Sequence, residues 1–466
     1  MRKVFDEVYS LDRRCYEEFG LNEDILMENA AQAMAKVIRN SIKKGKKILI
    51  VAGGGNNGAD GVTLSRILHK EYEVYLYMPV EARSQMCKIQ LQRAQKVGVE
   101  IVSKIKKSDV IVDALFGSGL NKPLSEELSN IIKKLNKKEV ALKIACDIPS
   151  GIDIKGNLSP VAFKADITVS MGAYKTPLFS DAAKDYTGKI TVADLGVSSE
   201  VYEGDSDTFL LEESDMRLPV REDKNTNKGS FGHTVFLCGN KPGASIIASS
   251  AAFAFGSGLC TIITNKNINL PYEIMSSFSI PKNCNSFCFG MGLGKEYDDE
   301  TLFEAIENEQ IPIVADADIF SDKAIIEILN KRKNMILTPH PREFSSLLKL
   351  VGMGEYSVKE VQADRFTLVR EFTKKYKDIV LLLKGSNVLI AKNGKAYINP
   401  FGTNALSKGG SGDVLTGLLG SLLSQGYSLL DAAITASLAH AISSLKYKKA
   451  NYSLTPSDLI ESIKCL

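Results

Sequence analysis

In the first half of the chain, apolar positions gather in short, nearly continuous runs. Between them lie stretches where apolar residues recur every three or four positions. The runs are Lys47–Ala52, Glu73–Met78, Asp109–Phe116, Leu142–Pro149 and Asp166–Met171. Each is short, often β-branched and apolar almost throughout, as expected of strands buried on both faces. The intervening SEELSNIIKKLNKK places Leu128, Ile131, Ile132 and Leu135 on one face of a helix. Strands alternating with helices predict a parallel sheet covered on both sides.

The pattern breaks over Glu212–Gly229, EESDMRLPVREDKNTNKG, which is polar, carries Pro219 and has little periodicity. This stretch is read as a linker, dividing the chain into domains at 1–211 and 212–466. A second α/β series follows. Its strand-like runs are HTVFLC, LCTIIT, SFCFGMG, IPIVADAD, KNMILTPH, DIVLLLKG and NVLIAKNG, and two small-residue helices close the chain. The halves show no repeat of one another.

Composition narrows the function classes. The 466 residues suit two or three domains, and 44% hydrophobic and 24% charged residues are ordinary for a globular protein. With 58 basic against 55 acidic residues the net charge is +3, which argues against a nucleic-acid partner. The first residues, MRKVFDEVYSLDRRCYEEFG, are too charged for a signal peptide, and no apolar run reaches the ~18 residues of a membrane span. Eight scattered cysteines without a C-x-x-C fit a reducing cytoplasm.

Candidate chemistry sits at the predicted strand ends, where open parallel sheets bind ligands. GGGNNGADG (Gly53–Gly61) follows the first long run and opens a helix. Its G-x-G-x-x-G spacing lets backbone N–H groups approach a phosphate. A nicotinamide dehydrogenase also needs an acid at the end of the second strand for the ribose. Here the second strand ends YLYMPVEA, with Glu81 beyond Pro79, so that reading fails. Two further strand ends carry acids: Asp113 in VDALFGSGLNKP and Asp147 in CDIPSGID. An unpaired carboxylate in an apolar strand is costly and points to function. Partial desolvation should raise the pKa of Asp147, and the following Ile148-Pro149 should hold its backbone extended.

Taken in order, LMENAAQAMA, GGGNNGADG, VDALFGSGLNKPLS, CDIPSGID, KADITVSMGAYK and VADLGV resemble the NAD(P)H-hydrate epimerase domain, also called YjeF N-terminal. The resemblance implies a Rossmann-like three-layer sandwich. It implies that Asn56, Asn57, Gly58, Ala59 and Asp60, together with Gly117, Ser118, Gly119, Leu120, Asn121, Lys122 and Pro123, bind the hydrated dinucleotide. Asp147 would act at the nicotinamide ring, and Asn57, Asp113 and Ser150 would hold a potassium ion. Ala59 departs from the glycine usual in the family.

In the second half, NALSKGGSGDVLTGLLGSLL sets Gly409, Gly410 and Gly412 before Asp413 and an apolar helix. Exposed amides at a helix start form an anion site, and a base beside one suits phosphoryl transfer to a hydroxyl. TPHPREF brackets His340 between prolines, Lys384 ends an apolar strand, and FGMGLG and VADAD mark two more strand ends. These motifs resemble the NAD(P)H-hydrate dehydratase domain, of the ribokinase-like α/β group. In that family Lys384, Gly385, Ser386, Asn387 and Val388 would contact the adenine nucleotide, and Gly412 its AMP portion. Ala244, Gly292, His340 and Asp413 would contact the hydrated dinucleotide, with Asp413 as catalytic base. Asn227 stands where the family commonly has His.

The resemblances together imply a two-domain α/β repair enzyme. One domain would interconvert the R and S hydrates of NADH and NADPH. The other would dehydrate the S form at the expense of ADP or ATP with Mg2+. The fused arrangement implies ADP. A cytoplasmic homo-oligomer acting on small molecules is expected. The alternative is a small-molecule kinase, for a vitamin precursor or sugar, fused to a nucleotide-binding scaffold.

Overall fold

The computed structural model describes residues 1–294 and 297–466. The chain forms two compact units, Lys3–Ser206 and Asp207–Leu466, with Met1 and Arg2 grouped with the second. The polar Glu212–Gly229 stretch therefore lies inside the second unit and does not separate the two. It follows a strand, Thr208–Leu210, that pairs with Lys395–Asn399. Asn227 caps the short helix Lys228–Phe231, its side chain accepting from Gly229 N at 2.9 Å.

In the first unit the strands are β1 (Arg2–Phe5, its first residue grouped with the second unit), β2 (Lys47–Ala52), β3 (Glu73–Tyr77), β4 (Glu100–Val102), β5 (Val110–Ala114), β6 (Leu142–Cys146), β7 (Ile167–Met171), β8 (Tyr174–Lys175) and β9 (Lys189–Ala193). Seven of them form a parallel sheet in the order β4-β3-β2-β5-β6-β7-β9. Alternation along β2 sends Ile48, Ile50 and Ala52 into one buried cluster and Leu49 and Val51 into the other. Both faces are thus covered, which is why the run reads as continuously apolar. Burying each such Ile, Leu or Val contributes roughly 1.5–3 kcal/mol. The predicted helix spans Glu126–Asn136 and is capped by Ser125, whose hydroxyl accepts from Leu128 N.

The second unit contains β10 (Thr208–Leu210), β11 (His233–Leu237), β12 (Leu259–Ile263), β13 (Met275–Ser277), β14 (Ser286–Phe289), β15 (Ile313–Ala315), β16 (Met335–Leu337), β17 (Val380–Leu383), β18 (Val388–Lys392) and β19 (Lys395–Asn399). Their order is β13-β12-β11-β14-β15-β16-β17-β18-β19-β10. The strands run parallel through β17; β18 is antiparallel to both β17 and β19, and β10 pairs parallel with β19. The helices Pro242–Ala254, Ser411–Ser424 and Leu429–Lys446 cover one face. Gly417 permits the closest approach, since a Cβ there would lie 2.1 Å from Ala248 O. Among the described residues no helix is long and apolar enough to cross a membrane.

Candidate active sites

In the first sheet, strand order reverses between β2 and β5, so the crevice at their C-terminal ends is where a ligand is expected. Glycines make the loop after β2 possible. A Cβ on Gly53 would lie 2.0 Å from Leu115 O, and one on Gly58 would lie 1.9 Å from Gly53 O. Ala59 is fully buried and packs with Met27, Met86 and Cys87, so its methyl fills the core and takes no space from the crevice. Asn56 is exposed, and its amide donates to the Glu23 carboxylate. Asn57 differs. Its amide oxygen and nitrogen are both buried and have no hydrogen-bond partner, which is costly without a ligand.

Gly117 is the meeting point of three loops. A Cβ there would lie 2.7 Å from Asp147 Oδ2 and 2.9 Å from Asn57 Oδ1. Asp113, fully buried, accepts from Ser150 N and Ser150 Oγ, each at 2.7 Å, and from Leu115 N at 3.2 Å. Burial pushes its pKa up to about 6 against the opposing effect of those bonds. Ser150 Oγ also accepts from Phe116 N at 2.9 Å, tying the loops after β5 and β6 together. Further along, Leu120 packs into the core, while Gly119, Asn121, Lys122 and Pro123 are exposed.

Asp147 departs from both sequence expectations. Its φ is +68°, in the left-handed region and not extended. The proline constrains Ile148, the residue directly before it, and leaves Asp147 free to turn. Aspartate tolerates this conformation better than most residues, but at a cost of order 1–3 kcal/mol. The turn aims the carboxylate back at the sheet. There Oδ2 accepts from Ser118 N at 3.0 Å, and Oδ1 accepts from Met171 N at 3.2 Å and Lys175 Nζ at 2.6 Å. Burial works to raise the pKa, yet the Lys175 charge and these three donors outweigh it and hold Asp147 below the ordinary carboxylate value. Desolvation alone was the wrong guide because it took no account of a buried cation. Lys175 Nζ further donates to Met171 O at 2.7 Å and Ser170 Oγ at 3.1 Å. Sequence reasoning missed this lysine, although its place just past an apolar strand in VSMGAYK was a usable signal.

Asp60 joins Asp12, Glu23 and Met171 in lining a cleft. Burial, together with the charges of Asp147, Asp12 and Glu23, raises its pKa well above normal. The first unit thus holds two nearby carboxyls whose environments push their pKa values apart, Asp60 upward and Asp147 downward.

In the second unit the central group is Asp316, at the end of β15 and 2% exposed. Lys384 Nζ donates to its Oδ1 at 2.8 Å. Gly412 lies in the first turn of the helix Ser411–Ser424, and a Cβ there would lie 3.6 Å from Lys384 Nζ. Gly410 precedes that helix at φ +89°, and no side chain caps it; the Ser411 N–H donates to Lys408 O at 3.2 Å, which leaves the following first-turn N–H groups available. Asp413, half-buried in the same turn, has its pKa raised to about 6 by burial and by Asp316, against the pull of Lys384.

His340 caps the helix Pro341–Leu350, with Nδ1 accepting from Arg342 N at 3.1 Å and Glu343 N at 3.2 Å. Its Nε2 faces Glu343 Oε1 at 3.2 Å, and Glu343 Oε2 lies 3.8 Å from Lys384 Nζ. Ala244 and Gly292 are neighbours, since a Cβ on Gly292 would lie 3.1 Å from Ala244 Cβ. Gly290, two residues earlier, packs against the Asp316 backbone. Lys384, Glu343, His340, Gly412 and Asp413 therefore surround one centre. Gly385 and Ser386 are exposed beside it, Asn387 is buried, and Val388 begins β18. In the sequence Asp316 is marked only as one of the VADAD strand-end acids, and Glu343 within TPHPREF carries no signal of its own.

These two sites belong to a known pairing. Residues 23–177 match the family described as YjeF-related protein N-terminus, and residues 234–465 match that described as NAD(P)H-hydrate dehydratase. A Helicobacter pylori protein named bifunctional NAD(P)H-hydrate repair enzyme Nnr is 45% identical over 480 residues, covering 100% of both chains. A Coxiella burnetii protein of the same name is 32% identical, covering 94% of this chain and 92% of its own. A Bacillus subtilis ADP/ATP-dependent NAD(P)H-hydrate dehydratase, solved with ATP/Mg2+, covers 52% of this chain and 91% of its own at 24% identity and TM-score 0.45. The chain belongs to the bifunctional NAD(P)H-hydrate repair enzyme family.

Proposed function

We propose that the chain repairs hydrated NADH and NADPH, the first unit interconverting the R and S hydrates and the second dehydrating the S form with ADP or ATP. The observation that carries this reading is a separate carboxylate site at the strand ends of each unit, in a chain that belongs to the repair family over its full length.

In the first unit, Asp147 is an ionised base at neutral pH, held in place by Lys175 and two backbone amides. It accepts a proton at the reacting ring, and Lys175 compensates its charge when the proton leaves again. General acid–base help of this kind contributes about 10²–10⁴-fold. Asn57, Asp113 and Ser150 would hold the potassium ion. The donor set fits a hard monovalent cation: an unpartnered buried amide oxygen, a carboxylate and a hydroxyl, with the last two already joined at 2.7 Å. Such a cation would supply positive charge beside the bound dinucleotide.

In the second unit, Asp413 takes the proton from the C6 hydroxyl of the hydrate. The amides of Gly410 and Gly412 and the Lys384 ammonium face the phosphoryl group as it transfers. Lys384 to Val388 border the adenine nucleotide, and Mg2+ would travel with it. Loss of phosphate from C6 together with a proton from C5 then forms the C5=C6 double bond and restores the reduced ring.

The test uses purified protein, an R/S mixture of hydrated NADH, and ADP or ATP. Reduced-nicotinamide absorbance should return with both epimers consumed. Failure to regenerate NADH with either nucleotide would refute the reading.

A further inference from the structure

In the second unit three neighbouring parallel strands, β15, β16 and β17, end beside one another. The residue after each bears a polar side chain: Asp316 after β15, Thr338 after β16 and Lys384 after β17. The latter two converge on the carboxylate of the first. Thr338 Oγ1 and Lys384 Nζ each donate to Asp316 Oδ1 at 2.8 Å, and Thr416 Oγ1 donates to Oδ2 at 2.9 Å. Thr416 lies one helical turn beyond Asp413, so its bond reaches into the helix that carries the Gly-rich anion site. The Asp316 backbone N–H donates to Phe289 O at 3.0 Å, adding β14 to the same joint.

We propose that Asp316 is a positioning residue for dehydration, a buried carboxylate that pins Lys384 to the first turns of the Ser411–Ser424 helix and sets the charge facing Asp413. The proposal rests on the dehydratase reading above.

A buried carboxylate with a single cation and two hydroxyl donors is not there for stability alone. Pairs of this kind contribute little net stability over an apolar replacement, because desolvation offsets the attraction. What Asp316 adds is geometry and charge. Lys384 would otherwise be free to pair with Asp413 and quench it as a base. The bond to Asp316 diverts it while keeping its ammonium close to Gly412.

The groups that face Asp413 are Asp316 and Lys384. Glu343 and His340, from the Pro341–Leu350 helix, reach the same lysine. His440, from the Leu429–Lys446 helix, sits behind Ser411 and is neutral, with a pKa of about 4. Replacing Asp316 by Asn keeps a hydrogen-bonding side chain of the same shape, since threonine hydroxyls can donate or accept. It removes one negative charge beside Asp413 and releases Lys384 towards it. Both changes favour the ionised form of Asp413.

The experiment measures dehydration of the S hydrate with ADP, against pH, for the wild type, Asp316→Asn and Thr416→Val. Hydrogen exchange on peptides from Asp207–Leu466, the unit that holds both residues, serves as the folding control. Asp316→Asn should move the acid limb of kcat/KM to lower pH while epimerisation stays normal. Thr416→Val should lower kcat by about tenfold with the KM for ADP nearly unchanged, since only the helix loses its link. A wild-type acid limb in Asp316→Asn, or an unchanged kcat in Thr416→Val, overturns the proposal. If Asp316→Asn does not fold, Thr416→Val decides alone. Absence of dehydration in the wild type would instead sink the assignment of function.

Discussion

Replacing Lys175 by Met tests the first site most sharply. Lys175 is 1% exposed, and its Nζ lies 2.6 Å from Asp147 Oδ1. At that distance the attraction is about 6 kcal/mol for an effective dielectric of ~20, before desolvation is subtracted. Met fills the space of the alkyl chain but leaves Asp147 with only the Ser118 and Met171 amides. Breaking one side of a buried pair costs about 3–5 kcal/mol. For a unit of this size that corresponds to a fall in Tm of roughly 10 °C. The sign with pH follows from the depressed value of Asp147. In the wild type its stabilising contribution is full above the unfolded pKa of about 3.9, and it is lost as pH falls through the lower folded value. In the variant, burial prevails and the folded pKa rises, so the penalty is greatest at neutral pH and is relieved on acidification. The gap between the two proteins should therefore be widest near pH 7 and should narrow below about pH 5. Urea unfolding at several pH values, with hydrogen exchange on peptides from Lys3–Ser206 to assign the transition, measures it. Epimerisation should fall by about 10²-fold or more. Equal stability at pH 7, or a gap that does not change with pH, would refute the ion-pair argument.

Other outcomes follow from the same geometry. Asp147→Ala should still bind the dinucleotide but leave the R hydrate behind when the S hydrate is consumed, as chromatography of the residue would show; both epimers vanishing at the wild-type rate would exclude Asp147 as the catalytic group. Asp413→Asn should abolish dehydration and spare epimerisation, and in the wild type kcat/KM for dehydration should drop as pH falls below about 6, where Asp413 takes up its proton. Epimerisation should require potassium and be weakened by Asn57→Leu; equal rates in potassium-free buffer would remove the proposed cation site.

The alternation of short apolar runs with helical faces was enough to place β2, β3, β5, β6 and β7 and the helix after Ser125, because strands buried on both faces leave a continuous apolar signature. The short or edge strands β4, β9 and β13 escaped it, being half-exposed and mixed in polarity. Glycine spacing likewise exposed the loops, since close backbone approach tolerates no Cβ. Local pattern could not pair Asp147 with Lys175, or Asp316 with Lys384 and Thr416, across 28, 68 and 100 residues of sequence. Nor could it foretell that Asp147 turns left-handed. A carboxylate's charge state depends on which cation the fold carries to it, and that is decided by how parallel strands stack their ends.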